Sequence, residues 1–258
     1  GDHRDLHSFP TRRSSDLSGA DMPIYRIADL NVEVNPKFKI CRKRLESYAV
    51  KSNESGKTDI AISVSDDEIR ERLRLSDNLS EQGAEDVLIL SKFCNAVLDG
   101  FDGFFFHSSC LELDGEGYVF SAVSGTGKST HTALWRRHFG NRVTMINDDK
   151  PVIRKCDGKF YAYGTPWMGK ADIGANTKAP VKAVYILQRA EENTAVRVLP
   201  SQVMKQLLEA TVIDVERSRM EKLLELLDEF FKETPLFLLG CNMDESAVMT
   251  AYNAANGG

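Results

Sequence analysis

The sequence predicts an α/β fold in which a mixed, partly antiparallel sheet is flanked by helices. Apolar segments of strand length recur from residue 24 to residue 239. Two of them, 104–113 and 118–120, are joined by the glycine-containing turn 114–117, which predicts a β-hairpin. Apolar residues at helical spacing over 85–98 and 219–232 predict amphipathic helices.

Composition narrows the class of protein. The chain has 258 residues, of which 42% are hydrophobic and 28% charged, as in globular proteins with a sizeable core. A net charge of −5 gives no general attraction for nucleic acid or an anionic membrane. The five cysteines are scattered without a C-x-x-C pair, which is typical of reduced thiols. No apolar run approaches the ~18 residues of a membrane span. We therefore expect a cytoplasmic protein.

Three segments are expected along the chain. Residues 1–21 are interpreted as a non-native or disordered leader, because Phe9–Leu17 resembles translated sequencing-adapter tracts and fits nothing that follows. Residues 22–100 are predicted to form a small α+β N-terminal lobe. Residues 101–258 are predicted to form the main domain, which carries the motifs described below.

In the N-terminal lobe, the patterns predict strands within 22–36 and 58–64, helices over 66–73 and 85–98, and an exposed polar loop over 76–83. The basic segment 37–44 is interpreted as a solvated edge of the small sheet rather than as a binding patch.

In the main domain, the hairpin is followed by further elements in order: helix 132–138, strand 142–146, hairpin 152–163, loop 163–170, strand 181–187, helix 201–210 with Ser201 as its N-cap, helix 219–232, strand 235–239 and helix 244–253.

The segment 121–130 has the composition of a P-loop. It lies between an apolar strand and a helix, which is the setting in which glycines let backbone N–H groups surround phosphate oxygens. Lys128 is suited to outer phosphates and Ser129 to Mg²⁺. Ala122 replaces the usual leading glycine, and an ordinary Gly/Ser turn before a helix is the alternative. The predicted phosphate-binding residues are Ser124, Gly125, Thr126, Gly127, Lys128, Ser129 and Thr130.

Two acids, Asp148 and Asp149, directly follow the predicted strand 142–146. Carboxylates at the end of a strand beside a P-loop strand are where a Mg²⁺-binding group belongs. One acid can hold metal while the other accepts a proton from an attacking hydroxyl. The alternative is a surface turn, for which Asn-Asp is suited.

The loop 163–170 leaves two interpretations open. Trp167 and Lys170 could close over a ligand, or Trp167 could pack into the core with Lys170 in solvent. Arg189, at the end of strand 181–187, could stabilise phosphoryl charge, or be a surface residue.

These motifs resemble a known family. His107–Leu113, the hairpin, Ser124–Thr130 and Asn147–Asp149 resemble the catalytic domain of HPr kinase/phosphorylase. Ser124–Thr130 also resembles ATP-dependent phosphoenolpyruvate carboxykinases, which share that fold. The wider combination, with 130–135, 147–151 and 164–170, resembles an uncharacterised group of bacterial HPr-kinase-like proteins. The matching motifs span roughly 107–190, about a third of the chain.

The resemblance implies a fold, cofactors and roles. It implies an HPr kinase/carboxykinase-like P-loop fold over 101–258, with ATP and Mg²⁺ as cofactors. By residue, it implies that Asp148 is the catalytic base, that Lys128 and His107 act at the reacting phosphate, and that Ser129 and Asp149 hold the metal. For His107, the alternative is a structural histidine whose hydrogen bonds are satisfied within the fold. The later glycine-rich signature of HPr kinase and the substrate-binding arginines of the carboxykinases are not found.

The leading functional expectation is an ATP/Mg²⁺-dependent phosphotransferase resembling HPr serine kinase. Its partners would be a nucleotide and an unknown protein or small-molecule hydroxyl acceptor, with no nucleic acid or membrane; homo-oligomerisation is left open. The alternatives are a nucleotide-binding accessory or regulatory protein with little catalysis, and a phosphoenolpyruvate carboxykinase-like enzyme.

Overall fold

The computed structural model describes residues 22–51, 56–76, 78–123, 125–211 and 217–257. The expected leader, Ser124 and part of the predicted 76–83 loop therefore lie outside the described residues. Within them, the chain is a mixed α/β fold with a mixed sheet and flanking helices, as the sequence predicts.

The N-terminal region has a sheet of its own. Strands β1 (Ile24–Ile27) and β2 (Leu30–Val34) form an antiparallel hairpin, and β3 (Ile60–Ile62) runs parallel to β2. Ala28 and Asp29 both have positive φ, 52° and 62°, as a tight two-residue hairpin turn requires. The sheet therefore begins with a hairpin where the sequence predicts only strand.

Three helices cover this small sheet: α1 (Lys39–Leu45), α2 (Asp66–Arg74) and α3 (Glu81–Gly100). The expectation of a sheet edge at 37–44 is wrong, because most of that segment is α1. Its start is held by the buried Glu85 carboxylate, which accepts the backbone N–H groups of Lys37 and Phe38 at 2.6 and 3.0 Å. The loop predicted over 76–83 is also too long. Ser80 caps α3 by accepting the N–H of Gly83.

The main sheet has nine strands, in the path β4–β8–β9–β10–β6–β5–β7, with β12 paired to β10 and β11 paired to β12. Its strands are β4 (Gly103–Phe105), β5 (Ser109–Leu113), β6 (Glu116–Ser121), β7 (Val143–Asn147), β8 (Val152–Cys156), β9 (Lys159–Tyr163), β10 (Lys178–Arg189), β11 (Thr194–Arg197) and β12 (Leu236–Cys241). The run predicted as a single strand over 104–113 is two strands, separated by residues 106–108.

Four helices flank this sheet: α4 (Lys128–Phe139), α5 (Met204–Thr211), α6 (Arg217–Glu233) and α7 (Ser246–Asn256). The expected N-cap role of Ser201 is wrong. Pro200–Gln202 form a 3₁₀ turn, which Pro200 favours with its fixed φ, and the α-helix begins only at Met204.

The directions of the strands in the main sheet determine which strand ends lie at the same edge of that sheet. Strand β6 is parallel to β10, and β10 is parallel to β12. Strand β5 is antiparallel to both β6 and β7, so β6 and β7 run in the same direction. The carboxyl ends of β6, β7, β10 and β12 and the amino end of β5 therefore lie at one edge of the sheet.

Candidate functional site

The glycine loop, residues 122–127, leaves the carboxyl end of β6 and leads into α4. Gly125 and Gly127 have φ values of 81° and 119°, which glycine adopts without steric cost. Ala122 does not have a positive φ, so the first position of the loop does not require glycine. Gly127 is the N-cap of α4, and Lys128 is its first residue. The loop thus ends at the positive end of a helix dipole.

The two acids lie at the same sheet edge, directly after β7. Asn147, fully buried, shapes their turn: its side-chain oxygen accepts the backbone N–H groups of Asp149 and Lys150 at 2.8 and 2.6 Å. Its amide nitrogen donates to the carbonyl of Thr165 at 2.9 Å. Both ends of the Asn147 amide are therefore used, and the turn is held in one conformation.

Asp148 and the start of β5 are in direct contact. The Ser109 hydroxyl donates to the Asp148 carboxylate, and Asp148 is only 7% exposed. The backbone N–H of Asp148 donates to the Ile173 carbonyl at 3.1 Å. The carboxylate accepts a hydrogen bond from a neutral donor, and no cation pairs with it among the residues that the structure describes.

Asp149 instead contacts a histidine and a lysine. Its carboxylate lies 3.0 Å from His107 Nε2 and pairs with the Lys150 ammonium. Burial alone would raise the pKa of Asp149, but the hydrogen bonds from His107 and Lys150 outweigh burial and hold this pKa at about 2. Asp149 is therefore ionised throughout the neutral range.

Lys128 completes the group. Its Nζ lies 3.5 Å from His107 Nε2 and 3.4 Å from the Ala122 carbonyl oxygen. Burial lowers the pKa of the Lys128 ammonium, and the negative charges of Asp149 and Asp148 oppose that shift. His107 thus lies between the lysine of the glycine loop and the acid after β7.

These groups line one open cavity of about 780 Å³. The structure brings eight of the predicted site residues to its wall: His107, Gly125, Gly127, Lys128, Ser129, Thr130, Asp148 and Asp149. Thr126 lines only a second cavity that shares part of the loop. Ser124 lies outside the described residues.

The second cavity, of about 470 Å³, lies on the other side of the glycine loop. Gly125, Gly127 and Thr130 line both cavities, whereas Leu134, Arg189 and Met243 line only the second. Arg189 donates to the Gly125 carbonyl at 2.7 Å. Its strand end is therefore joined to the loop backbone, and it does not line the cavity of the two acids.

Loop 163–170 agrees with the second interpretation, in which Trp167 packs into the core and Lys170 is exposed. Trp167 is 2% exposed and stacks on Phe93 with ring centroids 5.9 Å apart, as a core residue does. Lys170 is exposed and lines the main cavity with Gly169. The loop therefore combines a buried anchor with a cation at the cavity wall.

Sequence reasoning missed Arg44. This residue of α1 lines the main cavity, and its Nη1 lies 3.3 Å from the Asp86 carboxylate of α3. The five cations of segment 37–44 were the only sequence signal, and they do not distinguish Arg44 from its neighbours. Lys150 was likewise not singled out, although it pairs with Asp149.

Among the described residues, no group of three or more His, Cys, Asp or Glu side chains is arranged to hold a metal ion. The same part of the chain contains no helix with the length and hydropathy needed to cross a membrane. All five cysteines are free thiols.

No family model and no curated protein matches the chain. Among solved structures, the HPr(Ser) kinase/phosphatase from Coxiella burnetii is similar, with 12% sequence identity over 59% of this chain and 93% of that chain, and a TM-score of 0.33. The likeness is a weak one, at the level of the fold.

Proposed function

We propose that this protein transfers the γ-phosphoryl group of ATP to a hydroxyl group of a protein or small molecule, with Mg²⁺. One observation carries the proposal: the glycine loop, the start of α4 and the acids after β7 line a single cavity of about 780 Å³. A cavity of this size accommodates a triphosphate together with an acceptor group.

Phosphate binding would fall to the glycine loop and α4. The positive φ values of Gly125 and Gly127 allow the loop to curl, and the first N–H groups of a helix lack intrahelical partners. Such a helix start is an anion site. The Lys128 ammonium, which the nearby carboxylates help to keep protonated, would contact the outer phosphates.

The residues present suit a magnesium ion. Ser129 and Asp149 offer the hard oxygen ligands that Mg²⁺ prefers, and both line the cavity. Two protein ligands suffice, because Mg²⁺ commonly retains water and phosphate oxygens as its other ligands. When bound, the ion would supply positive charge beside the transferred phosphoryl group.

The two acids would have separate roles. Asp149, with a pKa of about 2, is a weak base and suits a permanently charged ligand position. Asp148 accepts only the neutral Ser109 hydroxyl as a side-chain partner among the described residues. We assign Asp148 as the base that takes the proton of the acceptor hydroxyl, and His107 as a donor beside the phosphoryl group.

The proposal is tested with γ-labelled ATP and a cell extract. The Lys128→Ala variant should lose nucleotide binding, whereas Asp148→Asn should retain binding and lose about a hundredfold or more in transfer rate. Lys39→Gln, an exposed change on α1, is the control and should behave as wild type. A wild-type protein that binds ATP but labels nothing would indicate the accessory role instead. Oxaloacetate-dependent consumption of ATP would indicate a carboxykinase-like enzyme.

A further inference from the structure

A third cavity, of about 460 Å³, adjoins the main one and shares no lining residue with the second cavity. We call it the α1 groove; it lies between α1 and the segment 166–174. Arg44 and Gly169 line both the α1 groove and the main cavity, so the two spaces are continuous. The cavity containing the two acids therefore adjoins the second cavity at the glycine loop and the α1 groove at Arg44 and Gly169.

The charge of the α1 groove is positive. Lys43 and Arg44 line it with a single acid, Asp172, and Lys170 lies next to the shared Gly169. Neither Lys43 nor Lys170 has a carboxylate within 4.0 Å among the residues that the structure describes. Lys43 and Lys170 therefore form no ion pair that stabilises the fold within this part of the chain.

Arg44 is held in place by the protein core. Its partner Asp86 also accepts the indole N–H of Trp167 at 3.1 Å, and Trp167 stacks on Phe93. This chain of contacts joins α1, α3 and the 166–174 segment. An arginine fixed through one nitrogen by a partly buried carboxylate retains further N–H donors for an anion.

We propose, on the basis of the proposed phosphotransfer, that the α1 groove binds the phosphate acceptor and that this acceptor is a small hydroxyl compound carrying a carboxylate or phosphate group. In-line transfer requires the acceptor to occupy a site separate from the leaving nucleotide. The α1 groove meets the main cavity at Arg44 and Gly169, and no residue of the glycine loop lines it. Arg44, Lys43 and Lys170 bind its anionic group. The exposed side chain of Ile40 and the partly buried Met168 contact its carbon skeleton.

A small molecule fits better than a protein segment. The α1 groove has the volume of a metabolite site, and one of its cations, Arg44, lies where it meets the main cavity. A compound whose anionic group is bound there extends into the cavity that Asp148 also lines.

The test separates acceptor binding from nucleotide binding. The ultrafiltrate of a cell extract is passed through an anion-exchange resin, and the flow-through and the eluate are each incubated with wild-type protein and γ-labelled ATP. Label should be transferred only to compounds in the eluate. Three compounds are also titrated into protein saturated with a non-hydrolysable ATP analogue. The anions glycerate and glycerol 3-phosphate should bind, whereas uncharged glycerol should not.

Variants locate the site. Arg44→Gln and the double variant Lys43→Gln/Lys170→Gln should each raise the KM for the labelled acceptor about tenfold or more while nucleotide binding stays unchanged. The double variant changes only exposed side chains, so it should fold even if Arg44→Gln does not. Arg44→Lys should recover part of the loss, and Lys39→Gln on the same helix should show none.

Three results would overturn the inference while leaving phosphotransfer intact: equal labelling with the flow-through, labelling of extract proteins alone, or variants of the groove that behave like Lys39→Gln. The groove variants could also lose nucleotide affinity while the acceptor KM stays unchanged. That result would contradict the inference, because it would show that Arg44, Lys43 and Lys170 bind the nucleotide. If wild type labels no fraction, the proposed function fails, and the acceptor site fails with it.

Discussion

Gly169 is the residue at which backbone conformation bears most directly on the candidate site. Its φ is 71°, and a Cβ added to it would lie 2.8 Å from the Cβ and 3.1 Å from the carboxyl carbon of Asp149. Real Cβ atoms do not approach so closely, so any other residue would displace Asp149. Because His107 and Lys150 both bind that carboxylate, the displacement would reach them as well.

We expect Gly169→Ala to lower both stability and ATP-dependent labelling. Gly158→Ala is a matched control, since Gly158 has a φ of 76° but open space around its Cα. Both variants should lose about 1 kcal/mol of unfolding free energy from backbone strain. Only Gly169→Ala should also reduce labelling, measured with purified protein at saturating ATP. Equal labelling by the two variants would show that Asp149 tolerates the shift.

Among individual residues, the sequence predicts those site residues that belong to local motifs. Lys128 follows a glycine loop and Asp148 follows a strand, so short patterns suffice to identify them. Arg44 lines the cavity while its guanidinium pairs with Asp86, on another helix. That contact depends on how α1 packs against α3, and helix packing leaves no signal in the spacing of nearby residues.

Among the helices, α2 begins with a complete capping box. The Ser65 hydroxyl accepts the N–H of Glu68 at 3.2 Å, and the Glu68 carboxylate accepts the N–H of Ser65 at 2.8 Å. Replacing Ser65 with alanine should cost about 1 kcal/mol of unfolding free energy in denaturant titrations. Ser63→Ala, at a nearby exposed position outside the helix, should have no measurable effect. An equal loss in both would contradict the role of the cap.

Helix α4 carries a histidine that burial keeps neutral. His131 is 2% exposed, its Nε2 accepts the indole N–H of Trp135 at 3.0 Å, and burial lowers its pKa to about 4. A depressed histidine pKa means that the folded state disfavours the protonated form. The resulting stability is present above the unfolded pKa near 6.5 and is lost as pH falls through the folded value.

We therefore expect the unfolding free energy to fall by about 3 kcal/mol between pH 6.5 and pH 4 from this one group. His131→Gln keeps an acceptor for Trp135 and should remove this pH dependence, whatever its effect at neutral pH. His138→Gln, on the same helix but partly exposed, is the control and should retain it. Denaturant unfolding at a series of pH values provides the measurement; a curve unchanged by His131→Gln would refute the assignment.

The sequence failed to predict the elements that are short and have little hydrophobic periodicity of their own. Strand β11 is four residues long and mostly exposed, and its place is determined by antiparallel pairing with β12 far along the chain. Helix α1 is short and basic without a side-chain cap of its own. Its start depends on Glu85 of α3. Long amphipathic helices such as α6 were predicted well because their periodicity is local.

Across the whole molecule, Arg154 of β8 joins the small sheet to the large one. Its guanidinium donates to the carbonyl of Ala28 in the first hairpin and to that of Phe101, at 3.2 Å for the latter. It also lies 5.6 Å from the ring centroid of Tyr163. Two carbonyls from separate regions thus depend on one buried cation.

Arg154→Met should lower the unfolding free energy by about 3 kcal/mol, because it leaves these carbonyls without their donor. Lys155→Met is the neighbouring control: its partners Glu229 and Glu233 are exposed, so its loss should be below about 1 kcal/mol. Thermal and denaturant unfolding measure both. A small loss in Arg154→Met would mean that the two sheets are held together by apolar packing alone.

The domain boundary proposed near residue 100 stays a prediction. The hydrophobic clusters show which elements on either side of residue 100 pack together. One hydrophobic cluster combines β1, β2 and α3 with Val152, Tyr163 and Trp167 of the main domain. Composition and periodicity predicted both sets of elements, but which of their faces share a core depends on the tertiary fold.

The chain has two tryptophans, and they lie in different hydrophobic clusters. Trp167 is in the cluster shared with the N-terminal strands, and Trp135, a residue of α4, is in the cluster that contains Tyr118 and Phe120. Each is at most 2% exposed. Native emission therefore comes from two separate optical reporters. In Trp135→Phe only Trp167 fluoresces, and in Trp167→Phe only Trp135 does, so each variant reports the unfolding of one hydrophobic cluster. Different unfolding midpoints in the two variants would show that the two clusters unfold independently.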